Sequence, residues 1–200
     1  MAGMNDIQRS LAGAWRLMTG RADGLRLLDI SADGFWNSFF AIPVALPALA
    51  IGWIMAANGI AADGDGGRLS VVVTLAIVDL SVWIVPLVVF VAAAPQFGLS
   101  DRVAHLVVAY NWGEALMSWL ALPVALVILT FDVGQQTSDA LMLFLFILLT
   151  VLGWRLVTTA IGRGLGVGSA VFAGMFVVSL VVLITLERLM GIFPADQLAG

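Results

Sequence analysis

Cysteine is absent from this chain of 200 residues. That excludes disulfides, thiolate metal sites and thiol nucleophiles, and leaves the redox compartment unmarked. Lysine is absent too, so all nine cations are arginine. Histidine occurs once, at His105. A lone imidazole makes no metal constellation, since catalytic zinc takes three protein ligands. Charge of either sign is scarce: 11% of residues are charged, against roughly 25% in soluble domains. The net charge of −4 leaves no basic stripe for nucleic acid, which is excluded as a partner. No HExxH, GxSxG or paired-carboxylate motif is present. No catalytic, metal or cofactor-binding residue is therefore assigned, no cofactor is expected, and the chain reads as non-enzymatic.

What the sequence does have is apolar surface. Hydrophobic residues make up 62% of the chain and the mean hydropathy is +1.07. A soluble core of this length cannot hide so much. Lipid is the solvent that removes the difficulty. Five apolar stretches, at 35–57, 69–94, 103–130, 140–161 and 167–190, each exceed the ~20 residues that cross a ~30 Å hydrocarbon core as helix. Helix is required there, because unpaired backbone groups are not tolerated against lipid. The expected fold is an all-α membrane protein, a bundle of five transmembrane helices over residues 35–190. A short amphipathic N-terminal arm (1–34) precedes it and a short tail (191–200) follows. The separators read as turns, at 58–68, 95–102, 131–139 and 162–166. They are short, so consecutive spans are expected to be antiparallel neighbours.

The arm shows Ile7, Leu11, Ala14, Trp15 and Met18 at helical spacing, with Asn5 or Asp6 as caps. It suits an interfacial helix held by lipid headgroups, or equally a helix packed on the bundle ends. With Arg9, Arg16, Arg21 and Arg26 but also four aspartates and no long apolar run, it does not read as a cleaved signal peptide. With the N-terminus placed in the cytoplasm, that side holds Arg9, Arg16, Arg21, Arg26, Arg102 and Arg163; the far side holds Arg68 and Arg188. The positive-inside rule then favours a cytoplasmic N-terminus and a C-terminus on the opposite side.

Charges inside spans are the informative polar positions, because each must face protein or water. Asp79, Glu114 and Arg155 form the candidate intramembrane polar cluster. An Arg155–Glu114 pair fits in depth, with Asp79 as the competing partner. Such a cluster binds a substrate or relays protons, or else is a buried ion pair that sets helix packing. Other polar residues gather on the third span, His105, Tyr110, Asn111 and Trp112; of these His105 reads as interfacial, and Tyr110 and Trp112 as packing residues. Pro43, Pro47, Pro86 and Pro123 mark bends. Gly162, Gly166, Ala170 and Gly174 repeat every four residues, a candidate helix-packing ridge, as do Ala48, Gly52 and Ala56. Either ridge serves internal contacts or a homo-oligomer face. The glycine run at 162–168 lacks the strand and Lys-Ser/Thr of a phosphate loop. Asp63-Gly64-Asp65-Gly66 lacks the remaining ligands of a calcium loop.

Three stretches resemble the bacterial branch of the Yip-domain family of small five-span membrane proteins. Asp33-Gly34-Phe35-Trp36-Asn37-Ser38-Phe39 leads into a proline-containing first span. Gln96-Phe97-Gly98-Leu99-Ser100-Asp101-Arg102 followed by Val107-Val108-Ala109-Tyr110-Asn111-Trp112 is similar to that family's Gly loop and third span. Trp154-Arg155-Leu156-Val157 and Gly166-Val167-Gly168-Ser169-Ala170 are similar to its fourth span, short turn and fifth span. The resemblance covers about residues 33–190. It implies a cytoplasmic arm, a place in the bacterial inner membrane, and membrane organisation, trafficking or scaffolding rather than catalysis. The partners it implies are membrane lipid and other membrane proteins or further copies of the chain. A small transporter or permease subunit using the polar cluster is the alternative.

Overall fold

The computed structural model describes residues 3–60, 67–131 and 133–190. It is helical throughout, with no strand among the described residues. Seven α-helices follow in order: α1 (Met4–Met18), α2 (Ala32–Asn37), α3 (Ala41–Ile60), α4 (Arg68–Ala93), α5 (Val103–Thr130), α6 (Gln135–Ile161) and α7 (Leu165–Met190). Five helical segments are long and apolar enough to cross a membrane: Ala32–Ala57, Arg68–Phe97, Ser100–Thr130, Gln135–Ile161 and Leu165–Met190. The chain is a polytopic all-α membrane protein. The calcium-loop resemblance at 63–66 and the tail at 191–200 lie outside the described residues.

The spans form a ring. α3 packs on α4 and α5, α5 on α6, α6 on α7, and α7 closes the circle on α4. This corrects one expectation. The second and third spans, α4 and α5, share only a short connector and few contacts, whereas α4 packs most heavily on the distant α7. The connector explains it. Two 3-10 turns, Ala94–Phe97 and Ser100–Arg102, with Gly98 left-handed at φ +65° between them, give the chain enough reach to step sideways. α6 also starts five residues earlier than the apolar run, at Gln135, where the Gln135 amide donates to the Asp139 carboxylate at 2.8 Å. Polar side chains satisfied within their own helix turn extend it beyond the hydrocarbon.

α1 packs against α5 and α6 at one end of the ring, called here the arm end. Ala14, Leu17 and Met18 are fully buried there. The arm is thus a docked helix, with Trp15 half-exposed on its outer side. Its start is also corrected: Gly3 is the N-cap, and Asp6 works from the third helical position, its carboxylate accepting from the Gly3 N–H at 3.0 Å. At the other extreme, α6 leaves Leu143, Phe144, Phe146 and Ile147 more than half exposed, as hydrocarbon-facing surface should be.

Candidate functional site

The polar groups inside the bundle are placed by tryptophan. Four of the seven indoles tie one helix to another through the ring N–H. Trp53 of α3 donates to the Asp79 carboxylate of α4 at 2.6 Å, and Trp119 of α5 to the Val44 carbonyl of α3 at 3.0 Å. Trp154 of α6 donates to the Ser169 hydroxyl of α7 at 2.9 Å. In a medium without water an indole N–H must find an acceptor in the protein, so each bond fixes a helix pair.

The fourth indole opens a relay through the middle of the ring. Trp83 Nε1 of α4 donates to Asn111 Oδ1 of α5 at 2.9 Å. Asn111 Nδ2 donates to Ser38 Oγ at 2.8 Å, and Ser38 Oγ donates to the Phe35 carbonyl at 2.7 Å. Asn111 and Ser38 are buried to within one per cent of their surface. The relay bridges α4 and α5, which otherwise barely touch. From sequence Asn111 is one polar residue of the third span with no role assigned to it, since nothing there shows that a serine 73 positions earlier and a tryptophan 28 earlier converge on it. The one available signal was an amide eight residues inside an apolar span.

The three charged candidates do not form a single cluster. Asp79 lies about 20 Å and Glu114 about 16 Å from the arm end of its own helix, so Glu114 stands roughly one helical turn nearer the arm. Tyr110, one turn before Glu114, and Asp79 are its electrostatic neighbours. Asp79 keeps accessible surface but lies on the same side of α4 as the buried Trp83, Pro86 and Phe90, turned toward the bundle and bonded to Trp53. Arg155 points elsewhere. Its Nη2 donates to the Thr19 carbonyl at 2.9 Å, at the C-terminus of α1. The last carbonyls of a helix lack internal partners and favour a cation, so Arg155 caps the arm. Gly20, left-handed at φ +81°, lets the guanidinium lie against the backbone where a Cβ would collide with it. The Arg155–Glu114 pair expected from depth is not formed. Ion pairs among the described residues join Arg16 to Asp23, and Arg102 and Arg163 to Asp101, all at the arm end. None reaches Asp79 or Glu114.

The ridge residues divide likewise. Gly162 is the left-handed C-cap of α6 at φ +59°. Gly166, Ala170 and Gly174 lie exposed on α7, and a Cβ on Gly166 or Gly174 would meet nothing. Ala170 and Gly174 border an apolar groove of about 500 Å³ between α4 and α7, with Phe90 and Phe97 opposite. The close internal approach is made by Gly168 instead, whose added Cβ would lie 2.6 Å from Thr158 Cα of α6. His105 keeps a buried Nδ1 without a hydrogen-bond partner among the described residues. No group of three metal-ligating side chains forms among those residues. No family model, curated protein or solved structure matches this chain.

Proposed function

We propose that the chain is a non-enzymatic, Yip-like membrane protein that organises other membrane proteins through helix contacts. The observation that carries this reading is the bare flank of α7. Gly166, Ala170 and Gly174 lie exposed there at a four-residue spacing, and a Cβ added to Gly166 or Gly174 would meet nothing among the described residues. Small residues permit close backbone approach, so a neighbouring transmembrane helix can seat on this flank and on the apolar groove beside it. The arginine distribution supports a bacterial-type inner membrane topology with the arm in the cytoplasm and the C-terminus outside.

The lack of cysteine makes the test direct. Val177→Cys places the sole thiol on the exposed face of α7, one turn after Gly174 and two turns after Ala170. Crosslinking in native membranes should give discrete adducts, and Gly174→Leu, whose side chain fills the flank, should abolish them while leaving the melting temperature unchanged. Absence of adducts, or adducts indifferent to Gly174→Leu, would overturn the reading. The second reading, transport, is favoured by Asp79 and Glu114, electrostatic neighbours that no arginine pairs with among the described residues. Proteoliposomes loaded with a pH-sensitive dye separate the two. Flux lost in Glu114→Gln supports transport, and no flux together with Gly174-dependent adducts supports organisation.

A further inference from the structure

A polar cavity of about 730 Å³ lies between α1 and the connector that leads to the first span. Asp6 and Arg9 of α1 face Asp29 across it, and Ser38, Val108 and Trp112 form its floor. This volume is in the range of ligand pockets, roughly 300–1,000 Å³. Val108 and Trp112 lie about 8 and 14 Å into α5 by helical rise, and the end of α1 lies alongside the same helix, with Met18 against Gly113. The cavity therefore runs from the helix ends a short way into the apolar zone, the level at which phospholipid headgroups meet acyl chains.

Its three charges are held apart. Arg9 Nη2 donates to the Arg26 carbonyl at 3.2 Å, which leaves most of its N–H groups for a ligand. Asp6 uses one carboxylate oxygen on the Gly3 N–H. Asp29 accepts from the Ser31 N–H at 3.0 Å. The Ser31 hydrogen bonds, with Arg9 nearby, hold its carboxyl below the ordinary carboxylate range, so it is ionised at neutral pH. No ion pair joins Arg9 to either aspartate. Two carboxylates disfavour a purely anionic ligand, and one guanidinium disfavours a simple cation. A guanidinium fork suits phosphate oxygens, and paired carboxylates suit a primary ammonium with N–H groups to donate.

We propose that this cavity binds a phosphate–ammonium zwitterion of the phosphoethanolamine type, the phosphate at Arg9 and the ammonium between Asp6 and Asp29. This is independent of the partner contact on α7, which contributes no residue to the cavity. The ligand can come from a phosphatidylethanolamine headgroup or from a soluble phosphodiester. Binding to the full chain in detergent should be measured by native mass spectrometry and calorimetry. The probes are phosphatidylethanolamine, phosphatidylcholine and phosphatidylglycerol with matched acyl chains, and glycerophosphoethanolamine. Phosphatidylethanolamine should bind at least about tenfold tighter than the other two lipids, the scale of one or two charge-assisted hydrogen bonds. The double variant Asp6→Asn/Asp29→Asn should lose that preference, and Asp33→Asn, exposed and outside the cavity, should retain it. Equal binding of glycerophosphoethanolamine identifies a soluble source, and binding of the lipid alone identifies the headgroup; both support the site. Equal binding of all three lipids, binding of no probe, or a preference that persists in a folded double variant overturns it. If the double variant fails to fold, the wild-type ranking decides.

Discussion

At the residue scale, the chain is held by a few directional bonds set in a uniformly apolar background. Leucine, valine and alanine contacts are interchangeable between one helix pair and another. An indole N–H that must find an acceptor is not. Asn111→Leu removes both bonds of Asn111 and leaves the Trp83 N–H without its acceptor. It should lower stability by about 1–3 kcal/mol, read as a reduced melting temperature in detergent. Isolated interhelical hydrogen bonds in membranes are often worth less, but this residue carries two and is fully enclosed. Glycines give a second contrast. Gly168→Ala drives a methyl into the Thr158 backbone, which cannot move aside, and should cost about 1–3 kcal/mol. Gly174→Ala meets open space and should change stability by less than about 0.5 kcal/mol. The four-residue spacing picks out Gly166 and Gly174 and passes over Gly168, because it records chain position and not which flank a neighbour occupies.

At the element scale, α1 is the feature with most at stake. Its amphipathic pattern fits a membrane surface or a protein surface, and periodicity cannot tell the two apart. The structure seats it on α5 and α6, with Leu17 fully buried and Arg155 on its last carbonyls. Leu17→Ala should cost about 2–5 kcal/mol of docking, the range for deleting a buried leucine side chain. Hydrogen exchange should show it as lost protection confined to residues 4–18. Arg155→Met should release the same segment, with the spans α3–α7 unaffected; loss of protection throughout the bundle would show that Arg155 does more than cap the arm. The third span carries the lowest hydropathy of the five, 1.7 against 2.1–2.6 for the others, because it holds Tyr110, Asn111 and Glu114. Those residues lie on the helix that touches α1, α3 and α6.

At the scale of the whole molecule, five spans make a closed ring with the arm docked at one end. The proposed topology predicts that reporters fused to the two termini report from opposite compartments, and the same compartment for both would contradict the odd number of crossings. The span count, the apolar segments and the arm were all legible in the sequence. Hydrophobicity accumulates along the chain, and any stretch of ~20 such residues has one low-energy solution in lipid. Segment ends were less legible, since polar residues such as Gln135 continue a helix past the hydrocarbon edge.

Neighbour order was not legible. Short connectors imply adjacent spans, and four of the five ring contacts join helices one or two steps apart in sequence, but α4 lies against α7 and stands off from α5. Of the three charged candidates, Asp79 and Glu114 are electrostatic neighbours, while Arg155 turns to the arm. Depth follows from counting residues at a fixed rise per residue. Azimuth, the direction in which a side chain leaves its helix, follows from how five nearly equivalent apolar cylinders pack, and small differences in side-chain shape decide that packing. The sequence by itself therefore determined that this chain crosses a membrane, how often, and at what height each charge lies. The tertiary structure alone decided which charges meet, which glycine bears a helix contact, and where a polar cavity opens beneath the arm.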